Sequence, residues 1–292
     1  MKHFLNLESL SPEELKDILE EALILKKTKG PSNDLEGKFL ALIFEKASTR
    51  TRVSFEVAMN QLGGQCSFFS PADLQLGRGE PIEDTARVIS SMVDGVVLRT
   101  LSHKTITTFS EKSSVPVING LSDLSHPCQL LADLMTFIEA KGDISGANVT
   151  WVGDYNNMCL SYIEASKIFK FNLEVVCPKN YWPSNDQINE LKIVFTEDIK
   201  SSINNSDLVS TDVWVSMGDE KEQSKRINDF QNFQVSPELM STAKEQAIFL
   251  HCLPAIRGQE ISNDMLEDSR SKVWVQAENR LHAQKSLLKF LI

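Results

Sequence analysis

Phe39-Leu40-Ala41-Leu42-Ile43-Phe44, followed at once by Glu45-Lys46-Ala47-Ser48-Thr49-Arg50-Thr51-Arg52, is the stretch that decides the fold. Six apolar residues without alternation read as a strand buried on both faces, the signature of a parallel sheet. Helical spacing follows from Val53 to Leu62 and stops at Gly63-Gly64, a C-terminal cap signal. Strand, turn and helix in that order form the repeating unit of an α/β protein.

Working outward, the same alternation recurs. Ser11-Pro12-Glu13-Glu14 opens a helix with a Ser cap, a Pro at the first position and acids in the first turn. Strands are expected at 66–69, 95–98, 115–118, 148–153, 173–177, 192–195, 208–211, 248–251 and 273–276. Helices are expected at 82–92, 127–139, 162–169 and 279–292, with a turn near 141–148. The 292 residues suit two domains. We expect two parallel-sheet α/β domains.

Composition excludes several classes. Lys plus Arg is 30 against 40 Asp plus Glu, a net charge of −10, which disfavours nucleic acid and anionic membrane surfaces as partners. No 20-residue apolar window is present, and the first twenty residues lack the apolar core of a signal peptide, so a cytoplasmic chain is expected. The five cysteines are scattered without a C-x-x-C, which argues against a disulfide framework or a structural zinc site.

In doubly wound sheets, ligands sit beyond the carboxyl ends of the strands. Ser48-Thr49-Arg50-Thr51-Arg52 crowds three hydroxyls and two guanidinium groups onto a helix start, where free N–H groups and the dipole already favour an anion. Alone, so short a motif could be a solvated basic turn; its strand–turn–helix setting favours a phosphate. Arg99 ends an apolar run, and His126 and Gln129 share the head of the Pro127 helix, able to bond a carbonyl oxygen and an amino group. Gly153-Asp154-Tyr155-Asn156-Asn157 follows a strand without G-x-G-x-x-G, which disfavours a nicotinamide site, and no G-x-x-x-x-G-K-[ST] is present. Asp212-Val213-Trp214-Val215-Ser216-Met217-Gly218 offers an acid and a hydroxyl around an apolar centre, suited to a small ammonium ligand. His251-Cys252-Leu253-Pro254 could suggest a thiol hydrolase, but neighbours on a strand point apart and are poorly placed to share a proton.

The order FEKASTRTR, LRT, HPCQLLAD, GDYNN, DVWVSMG, HCLPA, ENRLHAQK from residue 44 to 285 resembles the aspartate/ornithine carbamoyltransferase family, DVWVSMG and HCLPA pointing to its ornithine branch. The resemblance implies transfer of a carbamoyl group from carbamoyl phosphate to the side-chain amine of L-ornithine, giving L-citrulline and phosphate, with no metal and no organic cofactor. It implies a carbamoyl phosphate domain from 1–135 and 277–292, a last helix crossing back to it, and an ornithine domain from 136–276. It also implies a homo-oligomer, a trimer or a multiple of trimers, in arginine biosynthesis. By motif match, Ser48, Thr49, Arg50, Thr51, Arg99, His126, Gln129, Cys252, Leu253 and Arg280 contact carbamoyl phosphate, with Gln75 reaching a neighbouring subunit's site. Asn157, Asp212, Ser216 and Met217 bind ornithine. Arg50, Arg99, His126, Asp212 and Cys252 carry the chemistry, with Asp212 on the α-ammonium group and Cys252 near the reacting amine. Cys128 stands where Thr is frequent in the family, and Ile256 where His is common.

Overall fold

Every strand pairing among the described residues is parallel. The computed structural model describes the chain apart from positions 29, 71, 74–78 and 216–219. It divides into two units, Met1–Met135 with Ala277–Ile292, and Thr136–Gln276.

The first unit holds β1 (Phe39–Phe44), β2 (Gln65–Phe69), β3 (Gly95–Arg99) and β4 (Val117–Leu121), in the order β2-β1-β3-β4. Its helices are α1 (Pro12–Thr28), α2 (Thr49–Gln61), α3 (Ile82–Ser90), α4 (His103–Lys112) and the start of α5 (Pro127–Lys141). Ala41, Ile43, Val96, Leu98 and Val117 from the strands pack on Ala86 of α3 and on Ile106 and Phe109 of α4. Burial at this scale is the main favourable term in holding the unit together.

The second unit holds β5 (Asn148–Val152), β6 (Asn172–Val176), β7 (Val194–Thr196), β8 (Leu208–Thr211) and β9 (Ile248–His251), ordered β7-β6-β5-β8-β9. Its helices are α6 (Asn157–Phe169), α7 (Asn185–Leu191), α8 (Ile199–Asn204), α9 (Gln223–Phe230) and α10 (Pro237–Met240). The long helix α11 (Val273–Leu291) begins in this unit and contributes Ala277 onward to the first. There it packs on α1: Ser286 Oγ donates to Ile18 O at 2.7 Å, and Lys26 Nζ donates to Asn279 Oδ1 at 2.7 Å.

In each sheet the strand order reverses direction once, at β1/β3 and at β5/β8. Crevices open beyond the carboxyl ends of strands at such switch points. Ser48–Arg52 follows β1 and Arg99 ends β3; Gly153–Asn157 follows β5 and Asp212 follows β8. The topology alone therefore selects these four segments.

Several expected elements shift. The strand expected at 273–276 is instead the first turn of α11. Val273 and Gln276 are buried while Trp274 and Val275 face out, an i, i+3 spacing that packing imposes over the β preference of Val and Trp. Lys192 caps α7 in the left-handed region, so β7 starts only at Val194. β4 begins at Val117, beyond Pro116, and α4, not foreseen, fills the span before it.

Candidate active site

α2 starts where it does because Ser48 caps it. Its backbone is extended, and its Oγ accepts from Thr51 N at 3.4 Å and donates to Thr51 Oγ1 at 3.0 Å. The two arginines of this turn separate. Arg52 is spent on the helix surface, its Nε on Glu56 at 2.8 Å and its guanidinium 4.0 Å from the Phe68 ring. Arg50 is partly buried and acts electrostatically on His126. Thr49 is exposed at the first helical position.

Thr51 is the hub of the first unit. Its buried hydroxyl accepts from Arg280 Nη2 at 2.7 Å and from Arg99 Nη1 at 3.5 Å. Arg99 stands where the β3–β4 register shifts between Leu98 and Arg99, an irregularity of the kind that re-aims a side chain at the end of a strand. Glu45 ties the two strand ends together: its backbone N–H donates to Arg99 O and its carboxylate accepts from Leu101 N, both at 2.8 Å.

His126 precedes the first residue of α5 and is buried. Burial, and then the guanidinium groups of Arg280, Arg99 and Arg50, push its imidazole well below the usual histidine range. At neutral pH it is an uncharged ring with one donor and one acceptor nitrogen. Gln129, one turn along, donates from Nε2 to Asp133 Oδ1 at 2.8 Å, both residues being buried. Cys128 turns the other way, its Sγ toward Asn119 O at 3.4 Å, and burial raises its thiol to about 12. This neighbour of the site is inert packing.

In the second unit, Gly153 ends β5 at φ +143°, a conformation that favours glycine. Asn156 then caps α6, its Oδ1 accepting from Met158 N at 3.0 Å and Cys159 N at 3.1 Å. Its Nδ2 donates to Asp212 Oδ2 at 3.0 Å. The other Asp212 oxygen accepts from Val213 N at 2.8 Å and from Cys252 Sγ at 3.0 Å. Asp212 and Cys252, far apart in sequence, thus meet in one hydrogen bond.

His251 takes no part in that bond. Its Nδ1 accepts from Leu253 N at 2.9 Å, which puts its proton on Nε2, 3.1 Å from Glu260 Oε1. Leu253 is held at φ +57° by this arrangement. Asp212, His251 and Cys252 offer ligand atoms within 4.8 Å of one another. With both imidazole nitrogens bonded, however, the trio presents a thiol and a carboxylate rather than a ready three-ligand metal site.

Two family descriptions match the chain: "Aspartate/ornithine carbamoyltransferase, carbamoyl-P binding domain" over residues 2–139, and "Aspartate/ornithine carbamoyltransferase, Asp/Orn binding domain" over 145–291. The chain belongs to the aspartate/ornithine carbamoyltransferase family. It is 51% identical over 293 residues to the ornithine carbamoyltransferase of Methylococcus capsulatus, covering 100% of this chain and 98% of that one. It is 52% identical over 299 residues to the anabolic ornithine carbamoyltransferase of Pseudomonas aeruginosa, covering 100% and 97%. The solved ornithine carbamoyltransferase from Pyrococcus furiosus superposes with a TM-score of 0.92 at 45% identity, covering 99% of this chain and 96% of that one.

Within this family member, Ser48, Thr51, Arg99, His126 and Arg280 converge in the first unit. Asp212 and Cys252 converge in the second, with Asn157 beside the Asn156 cap. Gln75, Ser216 and Met217 lie outside the described residues. Three residues escaped the sequence reading. Asn156 is detectable as an Asn immediately before a helical run, because α6 starts at Asn157 and not at Tyr162. Glu260 and Arg226 carried no local signal; their partners, His251 and Asp154, are 9 and 72 positions away.

Proposed function

We propose that this chain is an ornithine carbamoyltransferase, moving the carbamoyl group of carbamoyl phosphate to the side-chain amine of L-ornithine to give L-citrulline and phosphate. The observation that carries this is the convergence of Arg50, Arg99 and Arg280 on a buried histidine at the head of α5, with Thr51 bonded to two of them. Concentrated guanidinium charge around a neutral donor suits a phosphate dianion joined to a polarised carbonyl. The first unit holds the donor through Ser48, Thr49, Arg50, Thr51, Arg99, His126, Gln129 and Arg280. The second holds the amine through Asn157, Asp212, Ser216 and Met217, and it carries Cys252 and Leu253.

In the reaction, the amine lone pair attacks the carbamoyl carbon. The new C–N bond forms, the C–O bond to phosphorus breaks, and phosphate departs with the amine proton. An ordinary alkyl amine titrates near ~10.4, so the uncharged form must be selected. Asp212, already bonded to the Cys252 thiol, anchors the α-ammonium group of ornithine, and the thiol lies near the reacting amine and tunes its surroundings without forming an acyl-enzyme. Arg99, Thr51 and His126 stabilise the developing oxyanion, each such donor being worth about 2.7–4 kcal/mol of barrier.

The working form is a homotrimer or a multiple of trimers, with Gln75 reaching a neighbouring subunit's donor site. In support, Val53, Val88, Met92, Leu101 and Leu124 of the first unit are each at least 50% exposed, apolar area available to a neighbouring subunit. The enzyme works in the cytoplasm in arginine biosynthesis, in keeping with five free thiols and with a relative named anabolic. No described helix is long and apolar enough to cross a membrane.

An amine panel tests the reading: L-ornithine, putrescine, N-acetylornithine and aspartate, each with carbamoyl phosphate, followed as carbamoylated product. Turnover confined to ornithine supports it. Preference for another amine, or no turnover with intact phosphonate binding, overturns it.

A further inference from the structure

Gln129 and Asp133 are one helical turn apart on α5, where an amide–carboxylate pair at i, i+4 is geometrically ordinary. Their burial is not ordinary: both side chains are about 98–99% buried, at 1% and 2% exposure. A buried carboxylate is costly unless it is hydrogen-bonded, and one bond that Asp133 accepts comes from the Gln129 amide. The chemistry of that bond fixes which way the amide faces. A carboxylate accepts hydrogen bonds and cannot donate them, so only the NH2 end of the Gln129 amide can face Asp133. The amide oxygen and nitrogen leave one carbon in different directions, so Oε1 is turned away from Asp133. Among the described residues, that buried Oε1 has no hydrogen-bond donor. An acceptor of fixed identity therefore stands one turn from His126, at the end of α5 that faces the Arg99–Thr51–Arg280 cluster.

We propose that Asp133 is a positioning residue that sets donor specificity: by locking the Gln129 amide with its oxygen outward, it makes the site select acyl phosphates bearing an N–H on the acyl carbon over those bearing a methyl group. The inference rests on the reading that the first unit binds carbamoyl phosphate. A carbamoyl NH2 satisfies Gln129 Oε1, whereas the methyl of acetyl phosphate leaves it buried and unbonded. Sites built to hydrogen-bond a group discriminate strongly against analogues that lack it. Acetyl phosphate matches carbamoyl phosphate in charge and nearly in shape, so guanidinium groups cannot tell the two apart. The amide can.

The test uses two stable mimics, phosphonoacetamide with the NH2 and acetonylphosphonate with a methyl in its place, titrated calorimetrically into the full-length protein. Wild type is expected to bind the amide about 10–100-fold more tightly. Asp133→Asn keeps the size of the side chain but lets the Gln129 amide turn over, because Asn offers both a donor and an acceptor. The preference should collapse to about threefold or less, while inorganic phosphate still binds. General damage to the fold weakens both mimics together and leaves their ratio unchanged, so the ratio isolates the positioning role. Asp133→Ser, also donor and acceptor, serves the same purpose if the Asn variant does not fold. Gln129→Leu should lower the preference as far as Asp133→Asn does, and adding Asp133→Asn to it should change nothing further. If wild type binds neither mimic, the carbamoyl phosphate reading itself fails. If wild type prefers the amide and both Asp133 variants keep that preference, or if wild type shows no preference, the role given to Asp133 is wrong.

Discussion

Replacing Thr51 by Val is the sharpest probe of the anion cradle, because it removes one oxygen and leaves the β-branched shape in place. That oxygen accepts from Arg280 Nη2 at 2.7 Å across 229 positions of sequence, and from Arg99 Nη1 at 3.5 Å. Hydrogen bonds to charged groups contribute about 1.5–3 kcal/mol. The Arg99 contact is at the limit of a hydrogen bond and adds little. Thr51 is fully buried and Arg280 nearly so, so solvent cannot replace the lost acceptor. We expect Thr51→Val to lower the unfolding free energy by about 2 kcal/mol, or roughly 4–8 °C in melting temperature for a unit of this size. A phosphonate ligand supplies new oxygens to the same guanidinium groups, so saturating phosphonoacetamide should narrow the gap between variant and wild type. The kcat should fall about 100–1000-fold, the range for one lost oxyanion donor. Differential scanning calorimetry with and without ligand, paired with initial-rate kinetics, makes the measurement. A variant that melts with wild type, or whose deficit is unchanged by ligand, refutes the claim that Thr51 organises this charge.

Other expectations follow from the same geometry. Arg50→Ala should raise the KM for carbamoyl phosphate at least tenfold and weaken inorganic phosphate binding, while the melting temperature moves little because Arg50 is only partly buried; unchanged citrulline output would sink the phosphate assignment. His126 stays neutral in the folded chain but takes a proton in the unfolded chain below its ordinary ~6.5. Its share of stability is therefore present at pH 7 and lost as the pH falls through that value. Between pH 7 and 5, wild type should lose about 2 kcal/mol more than His126→Gln in urea titrations, and parallel curves would contradict this. Cys252→Ala deletes the thiol bonded to Asp212; the ornithine KM should rise several-fold, and mass spectrometry should find no carbamoylated thiol in wild type during turnover. Gln284 is fully buried in α11 with neither amide atom bonded to a described group, so Gln284→Leu should raise the melting temperature, by about 1–2 kcal/mol of stability.

Much of the fold is legible in the sequence because parallel strands buried on both faces advertise themselves. Phe39–Phe44, Gly95–Leu98 and Ile248–Leu250 are continuous apolar runs, and each lies in a strand. Misreadings fell where local preference and packing disagree. Val273-Trp274-Val275 has strand-forming residues but lies in a helix whose buried stripe is set by Val273, Gln276, Ala283 and Leu287. α4, with its polar His103-Lys104-Thr105 start, buries only Ile106, Phe109 and Ser110, too thin a stripe to stand out in sequence. In the candidate site, residues that follow strands were visible because topology tells where to look. Arg280, by contrast, was assigned from family motif order alone. Its contact with Thr51 joins residues 229 positions apart, a distance no local pattern spans. Asp133 carries no signal of its own within HPCQLLAD, because its role depends on the side-chain bond to Gln129. The pairing of Asp212 with Cys252 likewise depends on β8 and β9 lying side by side.

The tie between Thr51 and Arg280 also fixes when the molecule can first work. A chain emerging from the ribosome has all four strands of its first sheet after 121 residues, yet the guanidinium that grips Thr51 is made more than 150 residues later. Until α11 is released, the early lobe owns a sheet and an incomplete anion hole. A growing polypeptide therefore lacks one of the three guanidinium groups that surround His126 until its last helix is made.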